Sequence, residues 1–341
     1  GHPANEFFPL IEAAVGHGLA ASIAEAWKLA GKDGIPNVVI QGFGAVGSSA
    51  SFYLEELGLG KVVAIADAFG FIHNQNGLPI RELLQRRATH VKGLAASSAA
   101  PQVIEQAHKN LYLDDQDKTQ FNFQANTFDT PKAYLHAFMA CGVKADVFSP
   151  CAVRYVLTEE TTTHLLNTMA PAFIVSGANN PYGKINDDGT VVEDKEGKVL
   201  ALLEQQKVCV VPDWVANSGT AQLFHRGLSV PFDMNYEGVA SQILEACAQP
   251  IRAFINIAFH RFARRNPLLL AKGCDQLAKM RLKHPRSFLA SVGRDHDPSQ
   301  IGTNPAGSRY ALPPPTNSLS VTDRVAKLDH LISHYGAECI Q

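Results

Sequence analysis

The stretch Asn37-Val-Val-Ile-Gln-Gly-Phe-Gly-Ala-Val-Gly47 decides the fold of this 341-residue chain. A short apolar run leads straight into Gly42-x-Gly44-x-x-Gly47, and helix-forming residues 48–57 follow. Each glycine has its own task in a strand–turn–helix unit of this kind. Gly42 allows the tight reversal, Gly44 (with Phe43, Ala45 and Val46 around it) lets backbone approach a pyrophosphate without a Cβ in the way, and Gly47 lets the helix pack closely on its strand. The helix N-terminus then offers N–H groups to the phosphates. A second β-branched run, Lys61-Val-Val-Ala-Ile-Ala66, ends in Asp67, roughly 20 residues past the turn, where a carboxylate accepts hydrogen bonds from adenosine ribose hydroxyls. The combination predicts a dinucleotide-binding unit. The alternative is a tight strand–helix turn in some other α/β protein.

Further apolar runs at residues 121–123, 145–149, 172–176 and 208–211 read as strands, and helical patterns at 158–166 and 199–206 separate the later ones. Strands alternating with helices imply crossover connections and a parallel sheet covered on both faces. Six such strands suit a doubly wound, Rossmann-type α/β sheet. Residues 9–30 are rich in helix formers and end at Gly31, and residues 1–35 are expected to hold a leading helix. Gly16-His17-Gly18 interrupts that stretch at a cost of about 1 kcal/mol per glycine, so it marks either the helix start or a close approach. His17 is a candidate ligand contact there. Residues 71–77 close on an Asn76-Gly77 turn before a helix over 79–87, and Asp187-Asp-Gly-Thr with Asp194-Lys-Glu-Gly197 marks a surface hairpin. Beyond Gly219 the pattern is helical only, so the chain divides into 1–35, a dinucleotide-binding domain at 36–220 and a C-terminal helical segment at 221–341. Residues 236–265 are long and apolar, with a break or kink expected at Pro250. Pro313-Pro-Pro315 reads as a stiff linker, and Ser320-Val-Thr-Asp323 as a cap for a helix over 325–335.

Composition narrows the function. A net charge of −2, with 46% hydrophobic and 18% charged residues, argues against nucleic acid or an anionic membrane as the main partner. The basic cluster Arg261-Phe-Ala-Arg-Arg265 reads as a solvated helix end. The most apolar long stretch, residues 239–259, contains Gln242, Glu245, Gln249, Pro250 and Arg252, so it is a buried helix or helix pair rather than a membrane span. Six cysteines (141, 151, 209, 247, 274 and 339) lack metal-ligand spacing and suit free thiols in a reducing cytosol. The thirteen histidines form no HxxxH or HExxH grouping, so no metal site is expected. The chain opens Gly1-His2-Pro3 rather than on methionine, as expected of a processed or trimmed chain.

In a doubly wound sheet the ligand lies outside the carboxyl ends of the strands. The segments in that position are Gly42–Gly47, Asp67, Ser149-Pro-Cys-Ala152, Ser176-Gly-Ala-Asn-Asn-Pro181 and Pro212-Asp-Trp-Val-Ala-Asn-Ser-Gly-Thr220. Taken in order, with Phe69-Gly-Phe-Ile-His-Asn-Gln-Asn-Gly-Leu78 after Asp67, these motifs resemble the coenzyme domain of the Glu/Leu/Phe/Val amino-acid dehydrogenase family over residues 9–220. The resemblance implies oxidative deamination of an L-amino acid to a 2-oxo acid, with hydride transfer to a nicotinamide cofactor, in a homo-oligomeric cytoplasmic enzyme. It further implies that Gly42, Phe43, Gly44, Ala45, Val46 and Gly47 hold the pyrophosphate and that Asp67 holds the ribose. Cys151, Ala152, Gly177, Ala178, Asn179 and Asn217 would line the nicotinamide end. A carboxylate at Asp67 favours NAD over NADP, because a 2′-phosphate beside it is repelled.

The chain departs from the family pattern at three places. Ala14-Val15-Gly16-His17-Gly18 stands where the family has Thr-Gly-x-Gly, and Ser218-Gly-Thr-Ala-Gln-Leu-Phe-His-Arg226 stands where it continues through two glycines. The family's Lys-Gly-Gly signature, on an N-terminal substrate domain, has no counterpart. Lys92-Gly93 and Lys272-Gly273 lack its context and read as loop residues, so no catalytic residue is assigned. Two further readings stay open: a catalytically inactive NAD-binding regulatory or interaction module, and another Rossmann dehydrogenase, for a hydroxy acid or folate, using His17 or His225.

Overall fold

A computed structural model of the chain describes residues 7–96, 111, 113–229 and 240–283. The opening residues, the Pro313-Pro-Pro315 linker, the helix expected over 325–335 with its cap, and Cys339 lie outside the described residues. In chain order the strands are β1 (Asn37–Gln41), β2 (Lys61–Ala66), β3 (Gly70–His73), β4 (Gln124–Ala125), β5 (Val147–Pro150), β6 (Phe173–Val175), β7 (Gly183–Ile185), β8 (Val191–Glu193) and β9 (Cys209–Val211). Seven form one sheet in the order β4-β3-β2-β1-β5-β6-β9, while β7 and β8 make a separate hairpin. The five strands from β2 to β9 run parallel, and β3 and β4 add an antiparallel edge beside β2.

The expected doubly wound, mostly parallel sheet is therefore present, with one correction. The strand expected at residues 121–123 is not one; pairing falls on Gln124 and Ala125, opposite Phe71 and Gly70. Phe121 is apolar because it is buried, its carbonyl accepts from the His73 N–H, and Asn122 turns the chain in a left-handed conformation.

The apolar runs became strands because each is covered on both faces. Val38 and Ile40 of β1 enter one core cluster and Val39 the other; Phe173 and Val175 of β6 part from Ile174 in the same way. The helices supply the cover. On the first face lie α1 (Leu10–Leu29), α2 (Ala45–Glu56) and α3 (Ile80–Ala96). The short α4 (Asp115–Gln120) precedes β4. The second face is covered by α5 (Pro131–Met139), α6 (Glu159–Thr168) and α7 (Lys198–Gln205). After β9 come α8 (Asp213–Ala216), α9 (Gly219–Ser229), α10 (Ala240–Ile257) and α11 (Leu270–Lys283), and the last three return to the first face through Leu223, Leu244, Ile251, Ile255, Leu270 and Leu277. Local chemistry sets the helix starts near the site. Thr130 caps α5 by accepting from the Ala133 N–H with Pro131 next in line, and Thr158 and Thr161 form a reciprocal cap on α6.

Three further expectations need correction. Gly16-His17-Gly18 lies inside α1 and not at its start, although the close approach is real. A Cβ on Gly16 would fall 2.0 Å from Ser49 Oγ and 2.5 Å from the Ala50 nitrogen, so α1 and α2 cross where only glycine fits. Pro250 does not break α10, which runs through it to a π-helical turn at Ala258–Phe262. Burial of Cys247, Ile251 and Ile255 on the first face holds the helix together across the missing N–H. Lys92-Gly93 and Lys272-Gly273 are not loop residues, since they lie within α3 and α11.

Candidate functional site

The chain leaves β1 for β2 on one side and returns to β5 on the other, so the strand order switches at the carboxyl ends of β1 and β5. Backbone hydrogen bonds lace those ends together. The Gly42 N–H donates to the Ala66 carbonyl at 2.8 Å, the Cys151 N–H to the Gln41 carbonyl at 2.7 Å, and the Gly177 N–H to the Pro150 carbonyl at 2.9 Å. Gly42 has φ +104°, and a Cβ there would meet Ala152 Cβ at 2.6 Å. Gly47 lies beneath the turn, where a Cβ would fall 1.8 Å from the Gly42 carbonyl oxygen. Gly44 caps α2 and differs from both: nothing stands within 4 Å of where its Cβ would be. Backbone is thus bare toward solvent at a helix N-terminus, whose first N–H groups have no acceptor within the helix.

A cleft of about 1030 Å³ opens there. Gly42, Phe43, Gly44, Ala45 and Val46 form its floor, with Asp67, Cys151 and Ala152 beside them. Gly47 is the packing residue underneath. Asp67 is only 6% exposed, and its carboxylate accepts three backbone N–H bonds, from Phe69 (2.7 Å), Gly70 (3.1 Å) and Leu111 (2.8 Å). Tyr134 donates its hydroxyl to the Asp67 carbonyl at 2.7 Å, and burial together with the Asp67 charge holds that phenol above its usual range, so it stays a neutral donor. Burial also pushes the Cys151 thiol up to about 11, which keeps it protonated and unreactive at neutral pH.

The remaining candidates sit elsewhere. Gly177 and Ala178 are buried behind the cleft, and a Cβ on Gly177 would strike Leu19, Val46 and the Cys151 sulfur. Asn179 and Asn217 lie outside the cleft lining and pair with one another, Asn217 Nδ2 donating to Asn179 Oδ1 at 2.6 Å. His17 is 7% exposed in α1, edge-on to Tyr53 at 4.9 Å, and is not part of the cleft lining; nor is the exposed His225 of α9. Lys272 pairs with Glu204 at 2.6 Å, away from the lining. The cleft also gathers residues that the motifs did not mark: Asn126, Phe128 and Tyr134 before and within α5, Arg154 and Tyr155 after β5, and Ile185 and Val191 of the hairpin. Arg154 and Tyr155 follow directly on the marked Ser149–Ala152 loop; near the others stand the Thr130-Pro131 helix start and the hairpin turn, and neither shows where its residues land.

Among the described residues no helix is long and apolar enough to cross a membrane, and no three metal-binding side chains converge. Cys141, Cys151, Cys209, Cys247 and Cys274 are free thiols.

A mostly parallel, doubly wound sheet with a glycine turn opening its crevice defines a Rossmann-type α/β protein. The sequence pattern of Glutamate/Leucine/Phenylalanine/Valine dehydrogenase matches residues 10–223, more than half of the chain, and the chain belongs to that family. The NAD-specific glutamate dehydrogenase of Staphylococcus aureus is 26% identical over 182 residues, 53% of this chain and 31% of that protein. Among solved structures, a glutamate dehydrogenase superposes with a TM-score of 0.50 at 16% identity, covering 86% of this chain and 55% of the other. A lysine-to-leucine mutant of glutamate dehydrogenase gives 0.51 at 17% identity, covering 80% and 53%. These structural likenesses show the fold. The chain spans about a third of the length of the curated relative and about half that of the solved chains.

Proposed function

We propose that this chain is the coenzyme-binding part of an NAD-dependent amino-acid dehydrogenase. The observation that carries the reading is the bare backbone at Gly44, at the start of α2 and on the floor of the cleft. A Cβ would fill that space, and a pyrophosphate fits it, facing N–H groups and the positive end of the helix dipole. Asp67 supports NAD over NADP. Its carboxylate is fixed by three N–H bonds at the edge of the cleft, and a 2′-phosphate brought beside it meets a like charge that cannot swing away. Asn179 and Asn217 hold one another by a side-chain hydrogen bond, and in this reading their amides would fix the carboxamide.

Bound NAD supplies the hydride acceptor. The chain's own part is to bind and orient: Gly42 and Gly47 shape the turn, Asp67 fixes the loop after β2, and Tyr134 closes the wall beside it. An L-amino acid as hydride donor, assembly into a homo-oligomer and a cytoplasmic location belong to the same reading. They are supported by family membership and by free thiols. Among the described residues the lysine that lines the cleft is Lys132, which pairs with Glu160 at 3.2 Å, and this reading gives it no part in preparing the amino acid.

Calorimetric titration with NAD and NADP tests the proposal. Binding of NAD at least about tenfold tighter than NADP, a difference of about 1.4 kcal/mol, is the expected result. A chain that is folded by circular dichroism yet binds neither at millimolar concentration refutes it.

A further inference from the structure

We propose that the β7–β8 hairpin forms the apolar wall that grips the adenine ring of the coenzyme. The inference rests on the coenzyme reading above and extends it to residues outside the glycine turn. Ile185 and Val191 are directly paired across the hairpin, so their side chains share one face, while Lys184 and Val192 share the opposite one. Ile185 and Val191 line the cleft, together with Val153 from the loop after β5. All three are large aliphatics left open to solvent, at 41%, 44% and 57% exposure. Exposed aliphatics gathered at a cleft mark a surface that an apolar ligand group covers.

The position selects the ring. The cleft runs from the glycine turn past Asp67 to Asn126, Phe128 and Tyr134 on the β2 side of the switch point, and past Cys151 and Ala152 to Val153, Arg154 and Tyr155, where the hairpin packs. Asn179 and Asn217, on the opposite side, are not part of its lining. The pyrophosphate belongs at Gly44, so what extends toward β2 is the adenosine half. A purine is flat and largely apolar on its faces, which matches aliphatic side chains from the hairpin and aromatic rings from the α5 side.

The hairpin is a fixed wall, not a mobile lid. Gly183 packs so closely on Tyr155 that a Cβ would fall 2.7 Å from Tyr155 Cβ and 2.9 Å from its carbonyl oxygen. Tyr155 is itself held at φ +58°, with its N–H donating to the Asn180 carbonyl at 2.9 Å. The Leu157 N–H donates to the Pro181 carbonyl and the Gly183 N–H to the Leu157 carbonyl, both at 2.9 Å. The loop after β5 and the hairpin therefore set one another's position.

The test is calorimetry on the full chain with AMP, NAD and nicotinamide mononucleotide. The variants are Ile185→Ser with Val191→Ser together, Val191→Asp alone, and Val192→Ser on the opposite face as control. All three positions are solvent-exposed, so melting temperatures are expected to stay near wild type. AMP and NAD should each bind about tenfold or more weakly to the cleft-face variants. Nicotinamide mononucleotide binding, and everything in Val192→Ser, should stay unchanged. Unchanged AMP binding in folded cleft-face variants overturns the inference, as does an equal loss in Val192→Ser. A wild-type chain that binds neither AMP nor NAD overturns the coenzyme reading itself, and the two failures are thereby distinguished.

Discussion

Two glycines three positions apart should fail in opposite ways when given a methyl group. At Gly47 an added Cβ falls 1.8 Å from the Gly42 carbonyl oxygen and 2.9 Å from Ile40 Cγ2. The oxygen belongs to backbone that is already pinned by the Gly42 N–H bond to Ala66, so it cannot step aside. Relief requires α2 to move off β1 by more than an ångström. Overpacking costs about 1–3 kcal/mol and more when backbone must shift. Alanine returns about 1 kcal/mol through helix propensity. Taking the upper end of the cost, Gly47→Ala loses about 2 kcal/mol or more, or about 4–8 °C in melting temperature by the scaling for domains of 150–250 residues. At Gly44 nothing lies within 4 Å and φ is an ordinary −75°. There the entropy removed from the unfolded chain, about 0.4–1 kcal/mol, offsets a comparable loss of N-cap preference. Gly44→Ala should melt within about 2 °C of wild type yet bind NAD at least about tenfold more weakly, because the methyl occupies the pyrophosphate's place. Differential scanning calorimetry and NAD titration on both variants decide it. A Gly47→Ala chain as stable as wild type refutes the packing argument, and a Gly44→Ala chain that binds NAD normally refutes the site assignment.

Other perturbations have equally definite outcomes. Asp67→Asn replaces an acceptor of three backbone N–H groups by one that turns an NH2 toward a donor, and should cost about 2–4 kcal/mol in urea unfolding; a stable variant removes the clasp from the account. His136 stacks on His164 at 4.2 Å and its Nε2 is buried without a hydrogen-bond partner. Burial, then the neighbouring imidazole, holds it below its ordinary value of 6.5. The unfolded chain therefore takes up the proton first, so this stability is present above about pH 6.5 and is lost as pH falls below it. Melting temperatures of wild type should fall on acidification more steeply than those of His136→Asn, with His73, also lowered by burial, leaving a residual slope. Parallel slopes would show that the pair does not contribute. Burial pushes the thiols of Cys209 and Cys274 up to about 12 and that of Cys151 to about 11, so iodoacetamide at about pH 8 should label them only on unfolding. Mass spectrometry finding Cys151 alkylated in the native chain contradicts its burial.

What was legible in the sequence was what burial and backbone geometry impose locally. β1, β2, β5, β6 and β9 are covered on both faces, and so they stand out as unbroken apolar runs. The glycine turn was legible because three separate steric demands fall at fixed spacing. What stayed hidden depends on partners distant in sequence. Gly16 looked like a helix breaker because its reason is Ser49 and Ala50 on another helix. Pro250 looked like a break because the packing that overrides it is tertiary. The antiparallel edge escaped because β4 is two exposed polar and small residues, while the buried Phe121 nearby mimics a strand. The adenine-side wall was invisible for the same reason: turn chemistry predicts that a hairpin forms at Asp187 but not which cleft its Ile185 and Val191 will enter.

The helix that opens the fold is also the one that must wait. Ser49 and Ala50 reach α1 soon after it is made, but Gly219 and Ile251, which close on Gly18, leave the ribosome roughly 200 residues later. At roughly 5–20 residues per second that delay is about 10–40 s. Through that time one apolar side of α1 has no native partner, and the sheet face beneath it is unfinished. The fold is consequently exposed to misassociation during its own synthesis, and translation speed between residues 49 and 251 becomes a determinant of how much native protein a cell obtains.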